Sequence, residues 1–162
     1  MSDDFPQHGR LAGIDFGTVR IGIAITDRER TLASPYENYV RRDPQSDARR
    51  FQRLVSEEQI AGFVIGLPVH TSGHESQKSQ EARHFGRWLT EATGVPVRFY
   101  DERYTSAEAE EILGGAQLTK KQRKKRLDML AAQNMLAAQN MLAAYLESHS
   151  QGLHPPEALD GP

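Results

Sequence analysis

The sequence predicts an α/β fold in which an antiparallel meander of three strands leads into alternating helices and parallel strands. Three observations carry this expectation. Three short strand-like runs joined by tight connections open the folded part of the chain. A nearly uniform apolar run, Ile60 to Pro68, then sits between two helix-patterned segments, as a strand buried on both faces does. The last third of the chain carries helical patterning only, so the predicted element order is βββαβαβαα.

Leu11 to Phe16, Arg20 to Asp27 and about Thr31 to Val40 are the expected meander strands. Pro44 to Glu58 reads as a polar helix with Phe51, Leu54 and Val55 on its inner face. After the apolar strand, Ser76 to Thr93 reads as a helix carrying Phe85, Trp88 and Leu89 and closed by Gly94. Val95 to Asp101 alternates as a fifth strand, and the strand–helix–strand order implies parallel pairing. Two further helices are expected at Thr105 to Leu113 and at Thr119 to about Glu147, separated by Gly114-Gly115. Residues 1–9 and 148–162 are polar and expected to be disordered, leaving 10–147 as a single folded domain.

Composition narrows the function. With 162 residues, 38% hydrophobic and 26% charged, the chain fits one soluble domain with a real core. No apolar run approaches the ~20 residues of a membrane helix, and the N-terminus lacks the pattern of a signal peptide, so a cytoplasmic protein with no membrane partner is expected. The absence of cysteine excludes disulfides, thiolate nucleophiles and Cys-ligated metals, leaving oxygen or imidazole to hold any metal. A net charge of −2 requires phosphate binding to come from local clusters. One such cluster places six cations in the seven positions Lys120 to Arg126, after an acidic stretch from Asp101 to Glu111.

Asp15 is the first candidate site residue. It ends an apolar strand where a charge needs a partner, a hydrogen bond or a metal cation. An Asp bonded to the following Gly17-Thr18 turn is the plain structural alternative. Strand alternation puts Gly13, Asp15 and Gly17 on one face, and Gly22 and Ala24 lighten the next strand, so room is expected beside the carboxylate. The second cluster, Asp101-Glu102-Arg103-Tyr104-Thr105-Ser106, falls at the carboxyl end of a strand, where open α/β sheets present ligands. Thr105 or Ser106 also offers a helix N-cap there. The third candidate, Asp128, follows the six cations, and a helix salt bridge to Lys124 or Lys125 is its plain alternative.

Three separated carboxylates suit Mg2+ or Mn2+, and two such ions about 4 Å apart can cleave a phosphodiester. Lys120, Lys121, Arg123 and Lys124 would then neutralise phosphates, with backbone or shape recognition favoured because aromatics are scarce beyond Tyr100, Tyr104 and Tyr36. His70 and His74, in the loop after the fourth strand, are candidates for phosphate contact, proton transfer or metal binding, and solvated loop residues otherwise.

Taken together, Ile14 to Ala24, Val64 to Pro68 with Gly73, Asp101 to Ser106, and Asp128 before Ala131-Ala132 resemble the YqgF family, also called RuvX, over about residues 11–146. The resemblance implies an RNase H-like fold with a five-stranded mixed sheet. It implies a divalent-metal nuclease whose acids fall on Asp15, Glu102 and Asp128, with Arg20 and Arg103 matching family arginines that can hold a phosphate, an ion pair to Asp101 or Glu102 being their plain alternative. Two substrates accompany the family: the 5′ end of pre-16S rRNA, which is the preferred expectation, and the Holliday junction, a branched DNA that resolvases cut as symmetric homodimers. A non-catalytic RNA-binding assembly factor using Lys120 to Arg126 is the alternative from another class. Asp15-Phe16-Gly17-Thr18 also resembles the first phosphate loop of actin-like ATPases and sugar kinases, which need two such domains where this chain has length for one.

The family pattern is broken at one place. Met129-Leu130-Ala131-Ala132-Gln133-Asn134 is repeated as Met135 to Asn140 and begins again at Met141. Six extra residues lengthen a helix by about 9 Å and rotate its later turns by roughly 120°. The last turns are therefore expected either to project past the core, where a homodimer surface would lie, or to come after a break. Asp128 precedes the repeat and is expected to keep its place.

Overall fold

Strand β1 (Arg10–Asp15) is the apolar spine around which the chain closes. The structure, a computed structural model, describes residues 5–68, 76–102 and 119–152. Strands β2 (Arg20–Thr26) and β3 (Ala33–Val40) follow β1 as antiparallel neighbours. Strand β4 (Ile60–Pro68) lies parallel on the other side of β1, and β5 (Val97–Glu102) lies parallel to β4. The five-stranded sheet has the order β3-β2-β1-β4-β5, which is the expected mixed sheet with β1 at its centre.

Helix α1 (Pro44–Glu58) starts where the sequence expects it. Asp43 caps it by accepting the Ser46 amide at 2.8 Å, and Pro44 fits the first turn, where its missing N–H costs nothing. Helix α2 (Gln77–Thr93) is capped by Ser76 and closed by Gly94 at φ 76°. Both cover one sheet face, where Phe51, Leu54, Phe85 and Leu89 bury against Ile14, Ile23, Phe63 and Ile65. Inside this layer Asp47, 1% exposed, accepts hydrogen bonds from the Tyr39 hydroxyl and the Arg42 amide.

Helix α3 (Lys120–Gly152) covers the other face. Thr119 and Gln122 form a reciprocal capping box at its start: the Gln122 amide donates to Thr119 Oγ1 and the Thr119 amide to Gln122 Oε1. Its 33 residues run about 50 Å without a break. The last turns do not project. Ala138, Met141, Leu142 and Tyr145 are buried on Leu11, Ala24 and Val64, while Lys120, Lys121 and Gln122 to Lys125 are exposed. The first turns project instead: α3 closes on the sheet from Asn134, against Gly22, and buries its apolar side chains from Ala138 onward.

The termini also depart from expectation. Phe5, in the segment expected to be disordered, is buried against Gly62 and Leu11, with the Arg98 guanidinium 4.7 Å from its ring centroid. At the other end α3 passes Glu147 and continues to Gly152, with His149 stacked on Tyr145 at 3.9 Å. The helix expected at Thr105 to Leu113 lies outside the described residues.

Candidate nuclease site

Asp15 closes β1 at the carboxyl edge of the sheet, beside β4, its parallel neighbour. The chain then turns back at once. A Cβ on Gly17 would lie 2.3 Å from the Arg20 carbonyl oxygen, so only glycine fits this return. Phe16 anchors the turn in the α1–α2 layer, 5.0 Å from the Phe85 ring centroid. The rigid turn fixes the carboxylate at the edge of the core.

A cavity of about 400 Å³ opens in front of Asp15. Thr18 and Arg20 line it from the turn and β2, Lys78 and Glu81 from α2, and Leu130 and Asn134 from α3. Burial pushes the Asp15 carboxyl up to about 6, and the nearby Lys78 ammonium pulls against that rise without cancelling it. An acid held at such cost, open to a cavity that charged side chains share, has the environment of a functional group. A second cavity, of about 460 Å³, adjoins the first through Phe16, Thr18 and Glu81. Phe85 and Trp88 give it an aromatic wall, with Arg41 and His84 beside them.

The room expected beside Asp15 is not supplied by the small residues. Gly13 and Gly22 admit α3: a Cβ on Gly22 would lie 2.2 Å from the Asn134 carbonyl oxygen, and one on Gly13 would lie 3.0 Å from Leu142. The space that remains is at the sheet edge.

Among the other expected site residues, Arg20 lines the Asp15 cavity. Glu102 is the last residue of β5, paired in register with Pro68 at the same carboxyl edge of the sheet. Asp128 is exposed and is not among the residues lining the cavity. It makes no ion pair with Lys124 or Lys125 among the described residues. Lys120, Lys121, Arg123 and Lys124 stand exposed on the projecting turns. Arg103, His70 and His74 lie outside the described residues, as do Tyr104, Thr105 and Ser106. Tyr100 is engaged with Tyr145, edge to face at 5.6 Å, and Tyr36 is partly buried against the core with its hydroxyl donating to Glu58.

Lys78, Glu81 and Asn134 had no place in the sequence expectation. On α2 the first two look like any polar helix positions. The repeat did carry a signal for the third: Asn134, like Asp128, directly precedes a Met-Leu-Ala-Ala.

The donor set suits a hard cation, with the carboxylates of Asp15 and Glu81 and the amide of Asn134 on one cavity. Among the described residues, no three acidic or imidazole groups gather around one point.

Comparison with known proteins matches residues 9–147 to the RuvX family, described as "Holliday junction resolvase". The protein named "Putative pre-16S rRNA nuclease" in Rhodopirellula baltica is 48% identical over 131 residues, covering 81% of this chain and 76% of that protein. Its namesake in Rhodobacter capsulatus is 40% identical over 134 residues, covering 80% and 84%. Among solved structures, T. thermophilus RuvC in complex with a Holliday junction substrate superposes with a TM-score of 0.51 at 12% identity, over 89% of this chain and 97% of that one. The Fowlpox virus resolvase with its junction DNA gives 0.50 at 10% identity, over 86% and 97%. These last two establish the RNase H-like fold. The extent and identity of the sequence matches establish more: the chain belongs to the RuvX family of nucleases.

Proposed function

We propose that this protein is a divalent-metal-dependent nuclease, centred on Asp15, that processes the 5′ end of pre-16S rRNA. The observation that carries the reading is a largely buried carboxylate, raised to about 6, sharing a cavity at the carboxyl edge of the sheet with Arg20, Lys78, Glu81 and Asn134. Such a group is poised to be ionised by an arriving cation.

Asp15 and Glu102 are the carboxylates assigned to hold Mg2+ or Mn2+, with Glu81 at hand as a further oxygen donor. When bound, the ion supplies an acidified water and charge neutralisation at the leaving oxygen. Arg20 and Lys78 bring two cations to the cavity, where a phosphate oxygen can accept from them. Glu81 can take up a proton from attacking water, since its carboxylate shares the cavity. The exposed turns from Lys120 to Lys124 extend past Leu130, which lines the cavity, so a backbone held at Asp15 continues along a basic helix.

One observation favours the rRNA leader over a four-way junction. Relatives at 48% and 40% identity carry the pre-16S name, whereas the resolvases resemble this chain in fold at 12% and 10% identity. The test is cleavage of a labelled RNA carrying the pre-16S 5′ leader and, separately, of a synthetic four-way DNA junction, with Mn2+ and with Asp15→Asn as control. Asp15-dependent cutting of the RNA alone is expected. Asp15-dependent cutting of the junction alone would restore the resolvase reading, and no cutting of either would favour a binding factor.

A further inference from the structure

The tandem hexapeptide decides which residue of α3 meets Asp15. Asp128, Asn134 and Asn140 are equivalent positions in the repeat, each directly before a Met-Leu pair. One residue of that set can occupy a given place on the sheet, and its neighbours in the set then fall about 9 Å away and turned by roughly 120°.

The structure fixes the register at several points. Tyr145 packs edge to face on Tyr100 and accepts a hydrogen bond from Arg98 at 2.9 Å. Gln139 donates to the Ala33 carbonyl at 3.0 Å, and Leu142 is fully buried over Gly13. Sliding the helix by one repeat would keep the Met, Leu and Ala contacts but put Gln139 in the place of Tyr145, losing the ring contact and the bond to Arg98.

In this register Asn134 lies over one row of the sheet. Asp15 pairs with Gly22, and Gly22 pairs with Asn38 on β3. The Asn134 backbone closes on Gly22, its side-chain amide donates to Asn38 Oδ1 at 3.3 Å, and it lines the Asp15 cavity. With its nitrogen engaged by Asn38, the amide presents its oxygen as the remaining polar atom.

We propose that Asn134, rather than Asp128, is the α3 residue that completes the Asp15 site, contributing a neutral amide oxygen where the helix would otherwise supply a carboxylate. The inference rests on the Asp15-centred metal reading. The site then carries one negative charge fewer than it would with a carboxylate at this helix position, and its affinity for a divalent ion is lowered accordingly. Asp128 stands one repeat away on the exposed basic turns, outside the cavity.

The experiment is Mn2+ binding to the full-length protein, followed by the loss of free-ion paramagnetic resonance. Asn134→Asp is expected to tighten Mn2+ about tenfold through the added charge. Deletion of Met129 to Asn134 places Asp128 directly before Met135, in the register of Asn134, and should tighten binding to a similar degree. Asp128→Asn in the full-length chain should leave the affinity unchanged. The proposal is overturned if Asp128→Asn weakens Mn2+ binding, or if neither Asn134→Asp nor the deletion strengthens it. Loss of all Asp15 dependence is a separate failure, visible in Asp15→Asn, that removes the metal reading itself.

Discussion

Replacing Asp15 by asparagine should stabilise the metal-free protein at neutral pH and do almost nothing in acid. The folded carboxyl is raised from 3.8 to about 6, chiefly by burial. Below 3.8 it is protonated in the folded and unfolded chains alike, and burial carries no charge penalty. Between 3.8 and 6 the unfolded chain ionises first, and wild-type stability falls progressively as pH rises. Above 6 the full penalty is present, about 3 kcal/mol for a shift of roughly two units. The asparagine side chain carries no charge to bury, so Asp15→Asn should be more stable by about 3 kcal/mol at about pH 7.5, a rise in melting temperature of about 6–12 °C for a domain of this size. Urea unfolding in EDTA from about pH 4.5 to 7.5 measures the difference directly. Added Mn2+ should shrink it by stabilising the wild type alone. A difference between the two proteins that stays constant across this range would refute the reasoning, because the gain would then not come from the charge.

The packing and the charge distribution set three further outcomes. Gly22→Ala places a Cβ 2.2 Å from the Asn134 carbonyl, which is backbone and cannot swing away; unfolding should be easier by about 2 kcal/mol or more, with protease sensitivity rising in the first half of α3. Asp47→Ala leaves the buried Tyr39 hydroxyl and the Arg42 amide without their acceptor and should cost about 3 kcal/mol in denaturant unfolding. Changing Lys120, Lys121, Arg123 and Lys124 together to serine should lower RNA affinity and reduce the slope of its salt dependence by about 3–4, leaving thermal stability nearly intact because all four are exposed.

Much of the architecture was legible because local signals and tertiary needs agreed. Pro44 after Asp43 marks the start of α1, and Gly94 the end of α2, through cap geometry alone. The uniform apolarity of Ile60 to Pro68 announces a strand covered on both faces, as β4 is by α2 and α3. Asp15 was legible as a charge that its strand could not leave unused. Lys78 and Glu81 were not, because a polar residue on a helix surface becomes a site residue only when the fold brings a cavity to it. The register of α3 was hidden for a different reason. A repeat of six residues offers the sheet nearly equivalent faces, and the choice among them falls to Tyr145, which lies beyond the repeat and meets Arg98 and Tyr100 only in three dimensions. Phe5 was masked by its polar neighbours, though Gly62 leaves the space that its ring fills.

In the proposed nuclease, the carboxylate of Asp15 makes phosphodiester cleavage depend on a divalent ion. Single-turnover cutting of the pre-16S leader across a Mn2+ titration, wild type against Asp15→Asn, tests it most directly. Saturable, Mn2+-dependent cutting is expected of the wild type and background cutting of the variant at every Mn2+ concentration, although the variant is the more stable protein. Equal cutting by both would contradict it.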